Sequence, residues 1–426
     1  MICKEYPTLW EKAWWDKTRE GLTVAVVPRP GFTRKLAYLV TDFGSIGREF
    51  TLDGEEIAAP AGVAHYLEHK LFDMPGQDVS EEFAAMGAMV NAFTGYDMTA
   101  YYFSATENFD KCLKLLLQFV TTPYFTQDSV QREQGIIGQE IDMNEDNPET
   151  RLFENLMAAM YESHRIAEPI LGTRSTIVNI TPQVLTQTHR AHYRPDNMLL
   201  CVVGDVDPEA VYRAASAVTE NMPRVAAQPK EQAAEPMTCR QNDVKAYMDV
   251  AMPMFQLGFK CESLGSGEEA VRQELIGDLA AEMLFGESSA LYLQLYEQGL
   301  IDSSFGGGFE TVKGMAMLTA SGDSFDPEAV KTAILQQAQT LLEKGISREE
   351  FMRCKRSALG RRMRDMDSFD SLCFRICAYH FSGFDYFEFP KVYSAIGPED
   401  LISFIRRVVT QQRSCLSVIY PNTKEA

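Results

Sequence analysis

Tyr101-Tyr-Phe-Ser-Ala-Thr-Glu-Asn-Phe-Asp110 is answered far downstream by Ala316-Met-Leu-Thr-Ala-Ser-Gly-Asp-Ser-Phe-Asp326. Each reads as an apolar strand, then Phe-Asp, then a helix with apolar periodicity. Phe109 and Phe325 lie 216 residues apart, and the strand Asn197-Met-Leu-Leu-Cys-Val-Val203 pairs with Ser414-Cys-Leu-Ser-Val-Ile-Tyr420 at an offset of 217. Two matches at nearly one offset point to a duplicated chain. Between the copies, the stretch from Pro223 to Gln241 carries Pro223, Pro229 and Pro236 and has no apolar period, the composition of a linker. The expected division is therefore an N-terminal domain 1–222, a linker 223–241 and a C-terminal domain 242–426.

Within the first half, Leu22 to Val27 and Leu36 to Phe43 read as strands. Ala58 to Phe72 reads as a helix with Pro60 in its first turn, and Ser80 to Met86 and Phe109 to Val120 as further helices, with Asp110 as an N-cap. Strands and helices mix without a regular βαβ rhythm. The expected class is α+β, with two homologous halves, each an antiparallel sheet covered by helices on one face.

Composition narrows the function. The 426 residues, 45% hydrophobic and 23% charged, are too many for one ordinary domain and too apolar for a disordered chain. Sixty acidic against forty basic residues give a net charge of −20, which repels phosphate backbones and excludes nucleic acid as the expected partner. The nine cysteines are odd in number and scattered, so they make no disulfide framework. The opening residues lack a basic region leading into an apolar stretch, and no run of about 18 apolar residues follows. A reduced, cytoplasmic protein without a membrane span is the expectation.

His65-Tyr-Leu-Glu68-His69 lies in the helical segment, so His65 and His69 project from one face a turn apart and both imidazoles can reach one metal ion. Glu68 borders that face, placed to contact a metal-bound water without being a ligand, the position of a general base. This is the inverted order of the His-Glu-x-x-His zinc motif. With 6 histidines in 426 residues, chance supplies roughly 0.007 such matches per chain. A catalytic zinc site needs a third protein ligand and an open position for water. Glu140 is the best candidate: Glu133 and Glu140 stand seven residues apart, two turns along one face of a helical stretch, so that one can ligate while the other supports.

Together these stretches resemble the pitrilysin/insulinase-type zinc metallopeptidases, in particular the bacterial branch similar to mitochondrial processing peptidase. The resemblance rests on Ala64-His-Tyr-Leu-Glu-His-Lys-Leu-Phe72, Asn91-Ala-Phe-Thr94, Glu133 to Pro148, and Tyr193-Arg-Pro-Asp-Asn-Met198 leading into Val203-Gly204-Asp205. It implies one Zn2+ per chain held by His65, His69 and Glu140, Glu68 as the base and Glu133 as an auxiliary carboxylate. It also implies a second half that closes a chamber over the first. Aligning Leu71-Phe72 with Leu284-Phe285 sets Asp278, Ala281 and Glu282 opposite His65, Glu68 and His69. Aligning Phe125-Thr126 with Ile346-Ser347 sets Cys354 and Arg361 opposite Glu133 and Glu140, so the second half should hold no metal.

Val90 to Thr94, the Gly95-Tyr-Asp turn and Thr99 to Ser104 read as a hairpin. If its first strand is an edge, an extended peptide substrate could add to it, with Asn91, Ala92 and Phe93 lining that substrate. One departure stands out. Similar enzymes supply an arginine and a tyrosine from the C-terminal half to grip the substrate, whereas Ser288 to Ser303 contains no arginine and its Tyr292 and Tyr296 have the helical spacing of core residues. The expected source is a homologous subunit carrying that pair, or a second copy of this chain.

The functional expectation is a zinc-dependent endopeptidase acting on short unfolded peptides, as the zinc-bearing subunit of a two-chain enzyme. The alternative is a non-catalytic assembly subunit of the same family. A small-molecule zinc lyase with the same motif would be far shorter and undivided. His189 and His192 read as surface residues at a helix end, Gly306-Gly-Gly308 as a turn or strand edge, and Cys373 and Cys377 as small core residues.

Overall fold

The computed structural model describes residues 1–220, 222–230 and 233–422, and in it the sequence echo becomes an echo of sheet order. The first sheet contains β1 (Ile2–Tyr6), β2 (Glu11–Lys17), β3 (Thr23–Pro28), β4 (Lys35–Thr41), β5 (Met89–Thr94), β6 (Thr99–Ala105) and β7 (Met198–Gly204), in the order β1-β2-β3-β7-β4-β6-β5. The second contains β8 (Asp243–Met248), β9 (Met254–Cys261), β10 (Gly306–Val312), β11 (Met315–Asp323) and β12 (Ser414–Pro421), in the order β8-β12-β9-β11-β10. Without the β1-β2 hairpin the two orders are the same. Each sheet has one parallel pair, β3 with β7 and β8 with β12, and is otherwise antiparallel.

The helices repeat as well. Helix α1 (Val63–Leu71) carries the histidine motif, and α2 (Gln127–Glu145) and α3 (Pro148–Met160) follow it. Their second-half counterparts are α4 (Gly267–Phe285), α5 (Arg348–Asp365) and α6 (Phe369–Phe381). A capping box opens α2 at Thr126 with Ser129, and another opens α5 at Ser347 with Glu350, 221 residues later. The caps of α3 and α6, Asn147 and Ser368, are again 221 apart. These side chains satisfy N–H groups that a helix start leaves unpaired, which fixes where each helix begins.

Each half covers one face of its sheet with its own helices, and the other face takes a helix from the other half. Helix α3 lies on the second sheet, with Leu156, Met157 and Met160 buried against Met315, Met317 and Cys415. Ser417 in β12 donates to the carbonyl of Leu152 at 2.9 Å across that contact. In return α6 lies on β4 and β7, burying Leu372, Cys373, Ile376 and Cys377 against Tyr38, Val40, Leu199 and Cys201. Each such apolar side chain contributes about 1.5–3 kcal/mol on burial. The exchange also explains β7, buried at all seven positions: Leu200 and Val202 face one core while Leu199, Cys201 and Val203 face the other.

The segment expected to link the halves is stitched to both. Ala227–Pro229 pairs with the strand Glu49–Leu52. Glu235 accepts the N–H groups of Glu162, Ser163 and His164 at 2.8–2.9 Å and the ammonium of Lys260 at 2.8 Å. Three sequence expectations change. The motif helix starts at Val63, because Glu55–Ala58 is a strand and Gly62 (φ +92°) turns the chain where a Cβ would strike the carbonyl of Leu171. Asn108, not Asp110, occupies the N-cap of Phe109–Thr121. His189 and His192 are buried: His189 Nε2 pairs with the Val120 carbonyl at 2.9 Å, and His192 stacks on Phe43 with ring centres 3.9 Å apart.

Candidate metal centre

Helix α1 packs against α2, and the phenol of buried Tyr66 donates to the Val130 carbonyl, pinning one helix to the other. This contact sets the histidines against the Glu140 carboxylate. Nε2 of His65 is 3.5 Å from Glu140 Oε1 and Nε2 of His69 is 3.5 Å from Oε2, and the three donor groups lie within 4.8 Å of one another. Zinc with tetrahedral ligands at about 2.0–2.1 Å separates them by about 3.4 Å, close to the 3.5 Å between each histidine and the carboxylate. Among the described residues no other set of three or more His, Cys, Asp or Glu converges in this way.

Glu133 stands one step out, its Oε1 3.0 Å from Nδ1 of His69 and its Oε2 3.8 Å from the ammonium of Lys70, which also pairs with Asp73. An imidazole that gives its Nδ1 proton to a carboxylate presents Nε2 as a more basic ligand in a fixed orientation. Burial alone would lower the His69 imidazole. The hydrogen bond and charge of Glu133, joined by Glu68 and Glu140, outweigh it and raise the group above its ordinary value. Burial pushes Glu133 up, but His69 and Lys70 hold it below the usual carboxylate range. Glu140 is lowered by its hydrogen bond to His65, against a smaller opposing effect of burial.

Glu68 is not part of the donor cluster. Its Oε2 accepts the Thr94 hydroxyl at 2.6 Å, tying the carboxylate to the end of β5. Strand β5 is the edge of its sheet, paired on one side with β6. Its side chains alternate: Val90 and Ala92 pack into the core that contains α1, and Phe93 into the core shared with the second half. Lys70 and Thr94 carry no signal of a role in the sequence. Both lie inside quoted motif stretches, but nothing in a sequence says that a lysine of an amphipathic helix turns inward to a carboxylate 63 residues away.

The site opens on the surface, with the Glu140 side chain 38% exposed. Neither the 630 Å³ nor the 410 Å³ cavity between the halves is lined by His65, Glu68, His69, Glu133 or Glu140. The second half therefore backs the first sheet, and within this chain it does not roof the donors as the sequence reading expected. In the Ser288 to Ser303 region Tyr296 is 54% exposed and stacks on Tyr292, so it is not a core residue; Arg353 of α5 reaches the Ser288 carbonyl at 3.3 Å. Gly306 to Gly308 lie in β10, the edge of the second sheet.

Residues 55–174 match the insulinase family, peptidase family M16, and residues 179–358 match the peptidase M16 inactive domain. The chain is 34% identical to the uncharacterized zinc protease YmfH of Bacillus subtilis strain 168, over 98% of this chain and 99% of that protein. It is 30% identical to an uncharacterized zinc protease of Rickettsia felis, over 47% of this chain and 48% of that one. Among solved structures, a putative M16-like peptidase from Alicyclobacillus acidocaldarius superposes with a TM-score of 0.93 at 28% identity, covering 99% of this chain and 100% of that one. A chain of complex III from Candida albicans shares the fold at a TM-score of 0.77 and 15% identity, over 95% of each chain.

Proposed function

The chain belongs to the insulinase family, peptidase family M16, and on that premise we propose that it is a zinc-dependent endopeptidase for short unfolded peptides. The observation that carries this reading is the convergence of His65 Nε2, His69 Nε2 and the Glu140 carboxylate. In it, these three hold one zinc ion and Glu133 holds His69 in its ligating tautomer. Zinc in that position supplies a Lewis acid that polarises the scissile carbonyl and acidifies water. Glu68, its carboxylate fixed by the Thr94 hydroxyl, would act as the general base that takes a proton from the attacking water and as the acid that returns it to the leaving amine. The peptide lies along the free edge of β5, its main chain held by Asn91, Ala92 and Phe93 as an added strand.

The open site and the absence of arginine between Ser288 and Ser303 support a two-chain enzyme, in which a homologous subunit or a second copy covers the donors and supplies the cationic grip. The match of residues 179–358 to an inactive domain and the likeness to a chain of complex III favour one rival, a non-catalytic assembly subunit. The complete donor set with its own base weighs against it. No described helix is long and apolar enough to cross a membrane.

A native mass spectrum of the chain taken from its own cells, with a quenched-peptide assay on the same fraction, tests the reading. Zinc, a second chain of similar size and cleavage abolished by a chelator are the expected result. A metal-free assembly that cleaves no peptide would establish the rival.

A further inference from the structure

A peptide paired along β5 turns alternate side chains to opposite sides. On one side stand Ala92 and Thr94 with the motif helix; on the other stands Phe93, and its neighbour there comes from the second half. The Phe93 ring is 6.4 Å from Tyr102 of β6 and 6.0 Å, tilted by 40°, from Phe374 of α6. Phe374 is 42% exposed, although large aromatics on a packed helix are ordinarily buried. The same Phe374 lines the 410 Å³ cavity between the halves, with Met98, Leu264, Val271 and Phe381. Asp97 and Met98 of that lining belong to the turn that leaves β5, so the cavity begins where the edge strand ends.

Four of the charged members of the lining are engaged with one another, Lys313 with Asp42 and Arg375 at 3.7 Å from Glu274, and burial holds the fifth, Asp97, above the usual carboxylate range beside Lys313. What the cavity offers a visitor is its apolar wall, in a volume within the roughly 300–1,000 Å³ range of ligand pockets.

We propose that Phe93, Phe374 and this cavity form a subsite for one large apolar side chain of a peptide held along β5, so that the second half of the chain sets cleavage preference. The assignment rests on the peptidase reading above and names its substrate class: extended peptides with a large apolar residue on the Phe93 side.

The test uses the zinc-loaded Glu68→Gln chain, with its partner subunit if one copurifies, and unstructured peptides of one sequence in which a single Phe or Ala is walked along the chain. Binding is read by fluorescence anisotropy, and melting temperature is recorded for every variant. The expected result is tighter binding of Phe than Ala at one position, by about tenfold or more. Phe374→Ala should shrink that ratio at least about threefold, and Phe374→Leu should retain most of it. A ratio that is absent, or unmoved by Phe374→Ala, overturns the subsite, as does an equal loss for every peptide with a lowered melting temperature. Selective binding without any cleavage by the wild-type chain would leave the subsite standing and remove the peptidase reading; neither binding nor cleavage removes both.

Discussion

Arg361 forms a salt bridge with Glu282, 3.3 Å from its Nη1 to Oε1, across the same pair of helices that in the first half brings Glu140 to His69. Counted from the matching caps, Arg361 stands on α5 where Glu140 stands on α2, and Glu282 stands on α4 one turn before its Leu-Phe end, as His69 does on α1. Beside it Arg362 holds Asp278 at 2.7 Å, and Cys354, in the place of Glu133, lies 3.9 Å from the Met283 sulfur. Both halves need something to join these two helices. One has two histidines facing a carboxylate and the other an ion pair.

One zinc per chain is therefore expected, and His69→Ala should abolish it. Arg361→Met should leave the zinc content at one and lower stability by about 1 kcal/mol or less, because its side chain is half exposed and the pair is screened. Metal analysis and denaturant titration check both. A second zinc, or its loss in Arg361→Met, would contradict the reading of the second half.

The carboxylates should separate by role. Glu68→Gln should keep zinc and lose turnover by on the order of 10²–10⁴. Glu140→Gln should lose metal outright, while Glu133→Gln, which leaves all three donors in place, should weaken metal binding about 10–100-fold. Zinc competition titrations with a chromogenic chelator, set beside peptide turnover, distinguish the three. Full activity in Glu68→Gln would remove that residue from the chemistry.

What the sequence discloses is whatever local rules control. The duplication, the hairpin and the histidine pair all follow from side-chain period and spacing, whereas the one N-cap read from sequence, Asp110, lies two residues past the true cap, Asn108. Contacts between distant segments are a different matter. Nothing local says that α3 and α6 are exchanged between halves, since an amphipathic helix carries no mark of which sheet it will cover. For the same reason His189 and His192 read as surface residues at a helix end. They are buried because Val120 and Phe43 come from elsewhere in the chain.

Thr94 is expected to act through Glu68. Thr94→Val keeps the shape and removes the 2.6 Å hydrogen bond to the carboxylate, which should lower kcat by about tenfold or more with zinc content intact. Thr94→Ser restores the hydroxyl and should restore most of the rate, an outcome that a purely structural role for the side chain would not produce. A rise in KM with unchanged kcat would instead place Thr94 in substrate binding.

Acid should destabilise the fold through two histidines outside the site. Burial lowers His189 to about 4, and burial, reinforced by the nearby charges of Arg194 and Lys313, lowers His192 to about 3. Both therefore stay neutral in the native chain while the unfolded chain takes up protons near the ordinary value of about 6.5. The unfolded state then binds more protons in that window, so stability is full above about 6.5 and is lost as pH falls toward the folded values. At pH 5 each should cost about 2 kcal/mol. Replacing His192 by Phe, which can stack on Phe43 and cannot be protonated, should flatten the fall in melting temperature between pH 7.5 and 5. Comparing the variant with its parent, both stripped of metal by a chelator, separates this effect from loss of metal. An unchanged pH dependence in the variant would show that His192 is protonated in the folded chain.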